Sequence, residues 1–287
     1  MKAVQEFLNL IKFEHTIFAL PFAYLGMLLA AGGWPSWHDF FWITVAMASA
    51  RTLAMGTNRL ADRWIDARNP RTANRPLIKG TIALRTAWVG TMLAGLVLAI
   101  AAWQLGPLPL RLLPGAYIFL IGYSFTKRFT WLSHFILGFT DGLAPIGAWA
   151  AIRGTVFTPT DLPAWILLAV VTLWIGGFDL IYACQDVGFD TQEGLLSIPA
   201  KFGVASALQI SSVCHALTVL LLVVLGYILG LSWPYWIGLM IAAGLLIWEH
   251  TLVDPDDLSR INIAFFSINS YISITLFLSI LGSLYLP

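Results

Sequence analysis

The sequence predicts an all-α integral membrane protein in which a single polytopic domain takes up all of residues 1–287. Three observations carry that prediction. Hydrophobic residues make up 59% of the chain and charged ones 11%, with a mean hydropathy of +0.80, far outside the range of soluble globular domains. The apolar residues fall in runs separated by polar or Gly/Pro breaks, which gives nine candidate transmembrane helices at about 16–33, 38–58, 83–104, 109–127, 132–152, 163–184, 203–230, 234–250 and 262–285. The charges gather between those runs. A bilayer offers the backbone no hydrogen-bond partner, so each span must satisfy its own amides, and helices are expected.

The N-terminal 14 residues carry Val4, Phe7, Leu8 and Ile11 at helical spacing, with Lys2, Gln5, Glu6 and Lys12 between them, which suits a helix lying in the membrane interface. The first apolar run starts near Ile17 and is broken early by Pro21, with no small-residue cleavage site, so a retained helix is expected rather than a signal peptide. Cys184 and Cys214 lie in or beside apolar runs without metal-type spacing and read as packing residues. A net charge of +1 and the lack of a basic arm argue against a nucleic-acid partner.

Charge also orients the bundle. Apart from Arg51 inside the second span and Arg111 and Arg153 in loops of the other parity, the basic residues sit in or beside loops of one parity. Short basic loops stay on the cytoplasmic side, which places the N-terminus and the loops at about 58–82, 127–131, 185–202 and 250–261 there. The expected home is a bacterial-type inner membrane, with lipid around the bundle and the chemistry at its cytoplasmic face.

Those loops hold two acidic sets. Asn58, Asp62 and Asp66 are spaced by four, so a helix continuing out of the second span puts them on one face. Asp179, Asp186 and Asp190 follow at intervals of seven and four, again one face. Carboxylates and a carboxamide are hard oxygen ligands suited to Mg2+, whose remaining positions phosphate oxygens and water commonly fill. Arg68, Arg71, Arg75 and Lys79 come just after the first set, and guanidinium forks match phosphate oxygens. Topology alone would account for basic residues there, and for Arg68 and Lys79 that reading stands equally. It requires neither the fourfold aspartate spacing nor the Arg-Thr-x-x-Arg-Pro run. Two acidic sets facing each other across a cavity would hold magnesium on either side of a diphosphate and neutralise it as a leaving group.

On these residues the chain resembles the UbiA-type aromatic prenyltransferases, membrane enzymes of ubiquinone and menaquinone biosynthesis. The first family motif stands as Asn58, Asp62 and Asp66, its Arg-Thr-x-x-Arg-Pro-Leu continuation as Arg71 to Leu77, and the second motif as Asp186 and Asp190. The Tyr-x-x-x-Lys-Arg element closing the fourth span stands as Tyr123, Lys127 and Arg128. Arg59 departs from the pattern, because many members have Asp there, which puts metal affinity in question. The segment KFEHTIFALPFAYLG resembles the subgroup that acts on 4-hydroxybenzoate and hydroxynaphthoates. The resemblance implies nine helices around a central cavity with a cytoplasmic loop cap. It also implies Mg2+-assisted transfer of a polyprenyl group from a polyprenyl diphosphate to an aromatic acid, with Lys127 on the diphosphate and Tyr123 lining the cavity near the forming cation.

Arg51 lies seven residues before Asn58, on the same face and about 10 Å deeper at 1.5 Å of rise per residue. A guanidinium inside a span needs a partner. An acceptor carboxylate is one, and the resemblance also implies that this position faces the aromatic substrate; Asp179 or Asp141 is the structural alternative. Asp179 is placed to orient or deprotonate an acceptor phenol. Asp141 reads as a cavity-lining or helix-pairing residue, and His15 beside Glu14 as a polar anchor or a substrate contact. His38, His134, His215 and His250 lack metal-ligand spacing and read as interfacial or packing residues.

Two rival readings belong to other classes. A transporter would explain Arg51, Asp141 and Asp179 but not the magnesium-type loops on one face. A transferase acting on nucleotide-diphosphate lipids would carry a Gly-spaced acidic motif that this chain lacks.

Overall fold

A computed structural model of the protein describes residues 2–12 and 14–286, with the side chains of residues 1–4 and 13–19 outside that description. The expected polar anchor at Glu14 and His15 therefore lies outside the described side chains. Among the described residues the chain is helical throughout, apart from turns and a lone bridge between Asp254 and Asp257.

Each apolar run becomes a helix whose ends differ from the expected ones by a few residues. The helices are α1 (Lys2–Leu10), α2 (Glu14–Ala31), α3 (Trp37–Ala61), α4 (Arg63–Arg68), α5 (Leu84–Gln104), α6 (Pro107–Thr126), α7 (Ser133–Arg153), α8 (Leu162–Ala183), α9 (Val187–Glu193), α10 (Ile198–Phe202), α11 (Val204–Leu229), α12 (Trp233–Thr251) and α13 (Asn269–Tyr285). A π-helical turn, Ile263–Ile268, leads into α13. Local chemistry sets the ends. Ser36 caps α3 by accepting from the Asp39 N–H at 3.1 Å. Pro107, Pro163 and Pro234 occupy first turns, where no N–H is needed. Gly154 (φ 67°) and Gly230 (φ 60°) close α7 and α11 in the left-handed conformation that a side chain resists.

Six stretches are long and apolar enough to cross a bilayer by themselves: Leu84–Gln104, Pro107–Thr126, Ser133–Arg153, Pro159–Glu193, Val204–Leu229 and Ile263–Tyr285. The chain is thus a multi-pass membrane protein. α2 contributes a shorter apolar stretch, Leu20–Ala31, and α3 carries Arg51, Asn58 and Arg59 within its length. Outward faces bear exposed Met92, Ile118, Val213, Met240, Ile247 and Leu278, an apolar surface that water would not tolerate and lipid does. Cys184 and Cys214 are free and buried, as expected of packing residues.

α8 is the most buried of the six spans and packs between α7 and α11. Its approach to α7 depends on glycine: a Cβ on Gly138 would meet the Thr172 carbonyl oxygen at 2.2 Å, and one on Gly142 would meet that of Leu168 at 2.8 Å. Small residues let membrane helices touch backbone to backbone, where dispersion and helix–helix hydrogen bonds replace the hydrophobic effect. α4, α9, α10, the long connection before α5 and the turn between α9 and α10 gather at one end of the bundle. They are tied together by Arg68–Glu193 at 2.5 Å and by the Leu196 N–H donating to the Lys127 carbonyl at 2.7 Å.

Candidate active site

A cavity of about 910 Å3 opens beneath that polar end, lined by side chains from α3, α4, α6, α7, α8, α9, the π-helical turn and α13. Asp62 stands at the junction of α3 and α4. Its N–H still bonds the Asn58 carbonyl at 2.9 Å, and the Asp66 N–H bonds the Asp62 carbonyl at 2.8 Å, so helical register survives the joint. Fourfold spacing thus places Asn58, Asp62 and Asp66 on one wall. Asp186 and Asp190, on either side of the α8–α9 joint, line the same cavity.

Each acidic group on these walls meets a donor from another element. Lys127 and Arg128 both pair with Asp62, at 2.5 and 2.8 Å, and Arg75 pairs with Asp66. Arg71 forms a two-pronged contact with Asp186, its Nε donating to Oδ1 at 3.0 Å, while its Nη1 donates to the Tyr182 hydroxyl at 2.8 Å. Burial would lower the Arg71 pKa, yet the hydrogen bond and charge of Asp186 hold it above its ordinary value. Asp190 accepts from the Ser197 hydroxyl at 2.9 Å. Asp62 and Asp66 are 2% and 5% exposed, depths at which an unpartnered carboxylate would be costly. Arg68 is spent on Glu193 and, like Lys79, does not line the cavity. Arg59 does line it, with Nη1 on Asn58 Oδ1 at 3.2 Å.

Deeper in, Tyr123 donates to the Ala54 carbonyl at 3.1 Å with its ring on the cavity wall. Arg51 sits below the acidic set, and its buried Nε has no hydrogen-bond partner. Among the described residues no ion pair joins Arg51 to Asp141 or Asp179, although Asp141 lies within electrostatic range of both. Asp179 bonds His134 instead, Oδ2 to Nδ1 at 2.7 Å.

Arg51, Tyr123 and Asp141 also border a second, largely apolar chamber of about 380 Å3 between α3, α5, α6 and α7. Met47, Met55 and Leu137 also line both chambers, which therefore lie side by side.

Sequence reasoning missed Asn69, Tyr182, Ser197 and His134. Asn69 Nδ2 donates to Asp186 Oδ1 at 3.1 Å, and Tyr182 stacks on Phe265 at 4.1 Å while supporting Arg71. Tyr182 lies three residues past Asp179, one helical turn, and that spacing was a usable signal. His134 carried none, because its partner is 45 residues away.

In a helical membrane bundle, a charged mouth beside an apolar chamber makes room for an anionic head on an apolar tail. The chain belongs to the UbiA prenyltransferase family, whose model matches residues 19–271. It is 31% identical over 260 residues to the 4-hydroxybenzoate octaprenyltransferase of Methylobacillus flagellatus, covering 91% of this chain and 86% of that one. The Cupriavidus necator 4-hydroxybenzoate octaprenyltransferase is 36% identical over 245 residues, 83% of this chain and 82% of the other. Among solved structures, the apo UbiA homolog of Aeropyrum pernix K1 superposes with a TM-score of 0.86 at 33% identity, over 93% of this chain and 97% of its own. An Archaeoglobus fulgidus UbiA homolog bound to GPP and Mg2+ shares the fold, with a TM-score of 0.63 at 19% identity, over 94% and 99% of the two chains.

Proposed function

We propose that the protein transfers a polyprenyl group from a polyprenyl diphosphate to an aromatic hydroxy acid of the 4-hydroxybenzoate type, in quinone biosynthesis. The observation that carries this reading is the pairing of the two acidic sets with Lys127, Arg71 and Arg75 at the mouth of a cavity that shares Arg51 with a neighbouring apolar chamber. The names of the relatives favour the same donor and acceptor.

Asp62, Asp66, Asp186 and Asp190 are hard oxygen donors of the kind Mg2+ takes, and they face one cavity. Bound there, Mg2+ would offset the charge that collects on the diphosphate as its C–O bond breaks. Arg71, Arg75 and Lys127 hold phosphate oxygens, with Asn58 beside them. The Tyr123 ring faces the allylic carbon, and an aromatic face attracts a cation. The apolar chamber accepts the first part of the tail. Arg51 binds the acceptor carboxylate, and Asp179 orients the acceptor hydroxyl or removes a proton. Nine helices cross the membrane as one domain, with the polar end as a cytoplasmic cap and lipid around it.

The test is product mass from purified enzyme given a polyprenyl diphosphate with 4-hydroxybenzoate or hydroxynaphthoates, in Mg2+ or in EDTA. The expected result is prenylated hydroxybenzoate in Mg2+ and none in EDTA. Product from the hydroxynaphthoates alone moves the acceptor to the menaquinone type, and undiminished transfer in EDTA refutes the metal-bridged diphosphate.

A further inference from the structure

His134 enters the cavity from the start of α7, two residues past the α6–α7 turn, and is only 5% exposed. Its Nδ1 lies 2.7 Å from Asp179 Oδ2, while its Nε2 is buried and has no hydrogen-bond partner. A packing histidine ordinarily finds partners for both nitrogens. Here the two facts choose the tautomer: a proton on Nδ1 is donated to the carboxylate and leaves a lone pair at Nε2. The reverse would aim a lone pair at an anion and bury an unpaired N–H. Asp179 is thereby held through Oδ2, with a side chain 22% exposed on the cavity wall and no hydrogen bond to Oδ1 among the described residues. Asp179 and Arg51 both act electrostatically on Asp141, deeper in the same cavity.

We propose that His134 is a positioning residue that aims Asp179 Oδ1 at the acceptor ring, so that Asp179 takes the ring proton released by prenylation. This rests on the function proposed above. The donor C–O bond breaks and its electron pair leaves with the diphosphate, and the ring carbon ortho to the hydroxyl forms the new C–C bond. The C–H bond at that carbon then breaks. Its electrons restore aromaticity, and its proton passes to Asp179 Oδ1. Asp179 lies seven residues before Asp186, about 10 Å deeper along a helix, which separates this base from the diphosphate. The close approach of α7 and α8 at Gly138 and Gly176 fixes the spacing of the pair.

The experiment compares ordinary acceptor with acceptor deuterated ortho to the hydroxyl. In wild type, proton loss follows a slower ionisation, and the isotope effect on kcat is expected at unity. His134→Ala should lower kcat about 100-fold, within the usual range for a positioned base, while the donor KM holds and the isotope effect rises above unity. His134→Gln, whose amide N–H can restore the bond to Asp179, should recover most of the rate and lower the isotope effect again. It also serves if the alanine variant does not fold. Asp179→Asn should show the isotope effect as well. Loss of kcat in both His134 variants with the isotope effect still at unity overturns the proposal. A wild type that prenylates no acceptor removes the underlying function instead, and the inference with it.

Discussion

Arg51 shows how much one side chain can carry in a membrane. A guanidinium at the centre of a spanning helix costs about 2.5–3.5 kcal/mol on insertion scales. Nothing in the described structure pairs with its Nε, and both chambers meet at its side chain. In the proposed function, the acceptor carboxylate would offset that cost with a two-pronged contact, which a lysine point charge cannot reproduce. Arg51→Lys should raise the acceptor KM roughly 10-fold, and Arg51→Ala closer to 100-fold, with the donor KM steady, on the scale of a charged hydrogen bond. Equal use by wild type of a phenol with and without its carboxylate would count against this role. Arg51, Asp62, Asp66, Asp186 and Asp190 stood out in the sequence because a charge beside an apolar run needs a reason. His134 did not, because a lone imidazole gains meaning only from the residue that folding puts next to it.

At the level of helices, the joint of α7 and α8 aligns the Asp179–His134 pair, and glycine sets its distance. Gly138→Ala places a Cβ 2.2 Å from a carbonyl oxygen, so the helices must part. The expected cost is about 1–3 kcal/mol, read as a lower Tm in detergent, together with a fall in kcat. Gly147→Ala on the same helix meets nothing within 4 Å and is expected to hold or raise Tm. A Gly138→Ala protein as stable as wild type would show that the joint yields. The π-helical turn is a second device of this scale. Asn269 Nδ2 donates to the Ala264 and Phe265 carbonyls at 3.1 and 3.2 Å and to the buried Glu249 at 2.9 Å. Those bonds steady backbone carbonyls in the turn and keep Phe265 stacked on Tyr182. Apolar periodicity gave no sign of it, because a π turn depends on how the helix packs.

For the whole molecule, the distribution of basic residues predicts the orientation in the membrane. Gln192 in α9 and Phe157 between α7 and α8 are exposed at opposite ends of α8, and the two native cysteines are buried. In sealed vesicles, an impermeant maleimide should label Gln192→Cys only from the cytoplasmic side and Phe157→Cys only from the other. The reverse pattern would invert the topology and remove the cytoplasmic mouth.

The sequence by itself determined the membrane class, the places of the long helices and the two acidic sets, because hydropathy and fourfold spacing are local properties of the chain. Even the two walls could be listed in advance. Tertiary structure decided which charges neutralise each other: Lys127 meets Asp62 across 65 residues, and Arg71 meets Asp186 across 115. It also decided that Arg51 makes no ion pair with Asp141 or Asp179 among the described residues, and that Asp179 belongs to His134. The physical reason is that membrane helices pack through small residues and matched polar groups at close range, and such matches exist only once distant segments share a boundary.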